Sequence, residues 1–128
     1  MLKLSNRFLA VFNKLYTEYR FSDIIIHWVN DEDLLEMNKR FLNHDYYTDI
    51  ITFDYSRGKK ISGELFISED RVLANANKEN LSFEEERDRV IAHGVLHLLG
   101  FQDKTQKEQI EMRLKEDQFL KELYHGSR

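Results

Sequence analysis

The stretch VIAHGVLHLLGFQD, residues 90–103, constrains this chain more than any other. Two histidines, His93 and His97, stand four residues apart, Gly100 follows, and Asp103 lies just beyond it. On a helix, residues four apart differ by about 40° in direction and about 6 Å in height. Both imidazoles can therefore present one nitrogen to the same point. Glycine reaches positive φ without steric cost, so the helix can end at Gly100 in a left-handed cap and turn back on itself. Asp103 would then face the histidines as a third ligand. Three protein ligands leave one position open for water, which catalytic zinc requires and structural zinc does not. Zinc lowers the pKa of such a water to about 7. On spacing alone a plainer reading stays open: two half-buried histidines, each satisfied by a backbone carbonyl.

The chain around this stretch reads as a mixed fold. Phe8, Leu9, Phe12, Leu15, Tyr16 and Tyr19 recur at helical spacing and predict an amphipathic helix from Asn6 to Tyr19. IIIHWV, Ile24–Val29, is β-branched and apolar and predicts a buried strand. Asn30 and Asp31 suit a helix N-cap, with Leu34, Leu35 and Met37 inside a helix that runs to about Phe41. Strands are expected over Thr48–Tyr55 and Ser62–Ser68. The basic turn Ser56–Lys60 between them should make them antiparallel neighbours. A helix over Glu69–Asn80 carries Val72, Leu73 and Ala76 inward. Ser82 and Glu85 have capping-box spacing at the start of the helix that bears the histidines. Thr105 and Glu108 repeat that spacing before a last helix to about Leu123, with Ile110, Leu114, Phe119 and Leu120 available to pack. The expected class is α/β (α+β): a small mixed sheet covered by helices, one of them a zincin-like metal-hydrolase helix, in a single domain over 1–128.

Composition narrows the chemistry. With 128 residues and 41% hydrophobic content, the chain is long enough for one real core. It has no cysteine, so disulfides and thiolate zinc sites are excluded and a metal must use histidine and carboxylate. The net charge of −4 provides no global field to attract nucleic acid, although a local basic patch would suffice. No signal pattern and no bilayer-length apolar run appear, which points to a cytoplasmic protein with no membrane partner. Zinc peptidases with this histidine spacing place glutamate directly after the first histidine as general base. Here that residue is Gly94. Phosphodiester cleavage depends less on such a base, so the choice tilts towards phosphoester hydrolysis.

HGVLHLLGFQD resembles the motif H-G-x-L-H-L-x-G-Y-D-H of the YbeY endoribonuclease family, bacterial ribosomal RNA maturation factors. TDIITF at 48–53 is similar to that family's T-D-V-L-S-F strand, GELFIS at 63–68 to its G-D-I-x-I-S strand, and MNKRF at 37–41 to its L-N-x-x-Y segment. The resemblance covers roughly residues 24–120. It implies a mixed sheet with surrounding helices and one zinc per chain. It also implies hydrolysis of single-stranded ribosomal RNA in small-subunit maturation and quality control, with the small subunit or its proteins as partners. The family's three motif histidines bind the metal, and two carry over as His93 and His97. The third falls on Asp103, giving a two-histidine, one-aspartate set. An aspartate oxygen is an acceptable zinc ligand. Its charge should make the metal a weaker Lewis acid. The family's tyrosine and aspartate become Phe101 and Gln102, and its arginine six residues before the threonine of T-D-V-L-S-F becomes Leu42.

Candidate substrate contacts follow. Arg40 and His44 stand near Leu42 and are the nearby replacements for that arginine. His44 either meets phosphate, shuttles a proton, or is a plain surface residue. Arg57, Lys59 and Lys60 either track an RNA backbone or form a solvated hairpin tip. Tyr46, Tyr47 and Phe101 either stack on bases or belong to the core. Arg87 and Arg89 are expected to pair with Glu84, Glu85 or Glu86 along their own helix. Glu64 is either a partner that orients a ligand histidine or a surface carboxylate. His27 reads as structural and His125 as part of a disordered terminus. The sequence leaves two alternatives to the nuclease: a zinc peptidase with its base outside the motif, and a non-catalytic ribosome-assembly factor with a structural metal.

Overall fold

The computed structural model describes residues 2–42 and 48–125. His44, Tyr46 and Tyr47 lie outside them. In chain order the elements are β1 (Leu2–Lys3), α1 (Asn6–Leu15), β2 (Arg20–Val29), α2 (Asp31–Phe41) and β3 (Ile50–Asp54). They continue with β4 (Lys60–Ser68), α3 (Glu69–Glu79), α4 (Phe83–Leu98) and α5 (Gln106–His125). The strands form one sheet in the order β1-β2-β4-β3. β2 and β4 are parallel, whereas β1 pairs antiparallel with β2 and β3 antiparallel with β4. The expected mixed α/β class and the expected β3–β4 hairpin are both present. No helix among the described residues is long and apolar enough to cross a membrane.

The two faces of the sheet follow from the period of two along each strand. Ile24 and Ile26 of β2 lie beside Gly63 and Leu65 of β4 on the inner face, with Ile61 and Ile67 in the same row. α1, α4 and α5 close over this face. Phe8 and Phe12 of α1 meet Phe119 of α5 at ring-centroid distances of 5.2 and 4.4 Å. Ile25, His27, Glu64, Phe66 and Phe53 share the outer face, part of which α2 covers. α4 is buried along most of its length because it is held between the sheet, α3 and α5.

Several local expectations change. α1 ends at Leu15, not Tyr19, because Arg20 and Phe21 enter the β2–β4 ladder beside Lys60 and Ile61. The β2 strand therefore starts at Arg20, and the step after Phe21 absorbs Ser22 and Asp23 as an irregularity in register. The two-residue β1 has too little pattern to be read in advance. Leu73, Ile110 and Leu114 face solvent, with exposures of 50, 57 and 64%. The buried stripe of α5 runs instead through Met112, Glu116, Phe119, Leu120 and Leu123. His125 is the last residue of that helix, not part of a disordered end.

Candidate metal centre

α4 begins with the expected capping box. The Ser82 hydroxyl accepts from the Glu85 N–H, and the Glu85 carboxylate accepts from the Ser82 N–H. At its other end the Phe101 N–H donates to the Leu96 carbonyl (3.1 Å) and the Gly100 N–H to the His97 carbonyl (2.9 Å), with φ of +103° at Gly100. This paired arrangement is a Schellman turn, and it reverses the chain in two residues. The reversal puts the Phe101 carbonyl 2.9 Å from His97 Nδ1 and returns Asp103 to the histidines. A reciprocal pair of bonds between Thr105 and Glu108 then starts α5.

Three ligand-type atoms converge. His93 Nε2 and His97 Nε2 are 2.9 Å apart, and Asp103 Oδ2 is 3.2 Å from the first and 3.3 Å from the second. Tetrahedral ligands about 2.0–2.1 Å from zinc lie about 3.3 Å from one another, so these separations approach those of a closed ligand set. The far side of each imidazole is also engaged. Glu116 Oε2 lies 2.7 Å from His93 Nδ1, and the Phe101 carbonyl faces His97 Nδ1. Each acceptor favours the tautomer with its proton on Nδ1. Two unprotonated Nε2 atoms then point lone pairs at each other, an arrangement that a cation between them relieves. The residues therefore fit a divalent metal. Burial works against a positive charge on His93, but Glu116, Asp49 and Asp103 outweigh it and leave the imidazole pKa above its ordinary value.

Glu116 is a functional neighbour that local spacing does not reveal, as are Asp49 and Arg113 of the same cleft. It sits in the buried stripe of α5, 7% exposed at its side chain, and is held by Arg89 Nη1 at 3.0 Å. Arg89 also reaches Asp117 at 2.8 Å, so its partners lie across on α5, not along α4 as expected. Arg87 pairs with Asp88 instead. A carboxylate interrupting an apolar helical stripe was the signal available in the sequence. Glu64, the candidate orienting partner, is on the outer face of the sheet, bonded to Tyr55 (2.8 Å) and His27 (3.0 Å). Alternation along β4 turns it away from α4, which lies on the side of Gly63 and Leu65.

The cleft at this site has a volume of about 330 Å³, and its lining includes Asp49, Glu86, His93, Asp103 and Arg113. Burial raises the Asp49 and Glu86 carboxyl pKa values. Of the expected substrate contacts, Arg40 lies at the end of α2 over the Phe41 ring, and Lys59 lies over Tyr19 and pairs with Glu18. Arg57 closes the hairpin turn by bonding with Lys60. None of these three lines the cleft. Phe101 packs against Tyr16 and lies under the Lys115 ammonium, 4.4 Å from the ring centroid.

Gly94 occupies the place where a peptidase would carry its glutamate, and the structure shows why it is glycine. A Cβ there would lie 2.7 Å from Ile50 Cδ1 and 3.0 Å from Leu65. The position faces the sheet, so no side chain placed there could serve the cleft. Gly94→Ala is expected to lower stability by about 1–3 kcal/mol through overpacking. Urea denaturation checks this, and an unchanged midpoint would contradict the close contact.

A sheet-backed helix that joins two imidazoles to a carboxylate beyond a glycine turn has the makings of a metal-dependent hydrolase. Residues 2–124 match the family model described as Endoribonuclease YbeY. The endoribonuclease YbeY of Cytophaga hutchinsonii is 50% identical over 111 residues, covering 84% of this chain and 78% of the relative. That of Bacteroides fragilis is 47% identical over 103 residues, 80% of this chain and 74% of the relative. The solution structure of TM1509 from Thermotoga maritima matches with a TM-score of 0.66 at 28% identity, over 95% of this chain and 79% of that one. The chain belongs to the endoribonuclease YbeY family, and the match extends beyond the span of the motifs.

Proposed function

We propose that this protein is a zinc-dependent endoribonuclease that cleaves single-stranded RNA, with small-subunit ribosomal RNA in the cytoplasm as its substrate. His93, His97 and Asp103 hold one zinc per chain in this reading. The observation that carries it is the convergence of two Nε2 atoms and one carboxylate oxygen, with both Nδ1 atoms tied off behind them. A metal there supplies Lewis acidity towards phosphate and an activated water.

The chain's own residues do the rest. Glu116 and the Phe101 carbonyl hold the two imidazoles in register. Asp49 and Glu86 line the cleft without belonging to the ligand set, and burial favours their protonated forms. They are the groups available to hold or give up a proton as the phosphodiester breaks. Packing of Gly94 against the sheet excludes a peptidase base at the motif position, so a peptidase would need its base from outside the motif, and casein cleavage lost on chelation is the result that would favour it. The test is cleavage of a small-subunit ribosomal RNA fragment, single-stranded beside its duplex form, by metal-loaded protein. Cleavage of the single strand, lost on chelation and restored by zinc, is expected. Stoichiometric zinc with no cleavage of either form would replace the enzyme with an assembly factor.

A further inference from the structure

The cleft beside the candidate metal ligands is strongly acidic for a site that must admit a phosphodiester. Asp49, Glu86, Asp103 and Glu116 line it, against two arginines, Arg89 and Arg113. Those arginines are held differently. Arg89 is 18% exposed at its side chain and engaged at both terminal nitrogens, by Glu116 at 3.0 Å and Asp117 at 2.8 Å. Its guanidinium is used in holding α4 to α5. Arg113 is 56% exposed at its side chain, and its ion-pair contact, Nη1 to Glu116, is 3.6 Å long. That exceeds hydrogen-bonding distance, so the pair adds charge balance without fixing the fork.

Arg113 also stands at a junction. A second cleft, of about 370 Å³, is lined by Gln106, Gln109, Ile110, Arg113 and Leu114. Gln109 and Arg113 belong to both clefts. A chain longer than one nucleotide that enters beside His93 and Asp103 can leave across α5 at this arginine. A planar guanidinium with free donors matches two oxygens of one phosphate, which a lysine ammonium cannot do.

From this placement we infer that Arg113 grips a backbone phosphate of the RNA next to the scissile bond, and so is the substrate-contacting cation of this cleft. The inference rests on the RNA-cleaving function proposed above. Arg113 is on the surface, so its replacement leaves the core intact.

The test compares wild type, Arg113→Ala and Arg113→Lys, all zinc-loaded, on a single-stranded RNA oligonucleotide. Metal content, kcat, KM and the salt dependence of binding are measured for each. Arg113→Ala should keep its zinc, lose roughly 10- to 100-fold in kcat/KM, and show a log–log salt slope shallower by about one. Arg113→Lys should restore the salt slope but only part of kcat/KM, because the charge returns without the fork. An Arg113→Ala protein that matches an active wild type in KM, kcat and salt slope would overturn the assignment and leave the nuclease reading intact. A zinc-loaded wild type that neither binds nor cuts the oligonucleotide would overturn that reading and the arginine's role together.

Discussion

His97→Ala should purify without stoichiometric metal and without RNA cleavage, while wild type carries about one zinc per chain. The proposed ligand set has three protein atoms, and His97 Nε2 lies within 3.3 Å of the other two. Structural zinc sites bind with about 10–16 kcal/mol in all, so an equal share for one of three or four ligands is about 3–5 kcal/mol, roughly a hundredfold or more in affinity. Plasma mass spectrometry of the two purified proteins reads the result directly. Zinc retained in the variant would show that the metal is held without His97, and no metal in either protein would leave two half-buried histidines and a turn. Asp103→Ala extends the test. Full zinc and full activity in that variant would show that the third ligand has been wrongly assigned.

Glu116→Ala should have the second largest effect, and on two separate measurements. Removing the carboxylate frees His93 Nδ1 and leaves the side chain of Arg89 short of its inner partner. Loss of a group that orients a ligand histidine weakens metal binding by about 10- to 100-fold. Arg89 keeps Asp117 but loses the partner of its inner nitrogen, which should also cost about 1–3 kcal/mol of stability. Competition against a chelator gives the first and urea unfolding the second. Glu116→Gln separates them. The amide oxygen can still accept from Nδ1, so metal affinity should recover in part, while Arg89 is left with Asp117 as its charged partner. Equal zinc affinity in wild type and both variants would reduce Glu116 to a structural partner of Arg89.

The local features of this chain were legible in its sequence because each depends on residues close together along it. The capping boxes at Ser82 and Thr105, the glycine turn at Gly100, and the histidine pair on one helical face require only short-range geometry. The β3–β4 hairpin belongs with them, since a short glycine-containing turn joins two alternating strands. Asp103 also followed locally, because the Schellman turn brings it back within six residues of His97.

What tertiary structure decided involves partners far apart in sequence. Helical spacing carries α1 to Tyr19, but the pairing of Arg20 with Lys60 starts a strand there and the helix ends at Leu15. Glu64 was a candidate for the metal site until the sheet's alternation placed it on the opposite face. Ile110 and Leu114 fitted an apolar stripe by spacing, but α5 is rotated to bury Met112, Glu116 and Phe119. Glu116 itself reaches His93 across 23 residues, through the packing of α5 on α4. The absence of a glutamate at Gly94 could be seen in the sequence; its cause, a helix seated too close to Ile50 and Leu65 for any side chain, depends on how α4 meets the sheet. Short-range hydrogen bonding and helical periodicity place ligands on one helix and its turn. Only the packing of distant elements chooses the carboxylate that stands behind them and the arginine that faces the cleft.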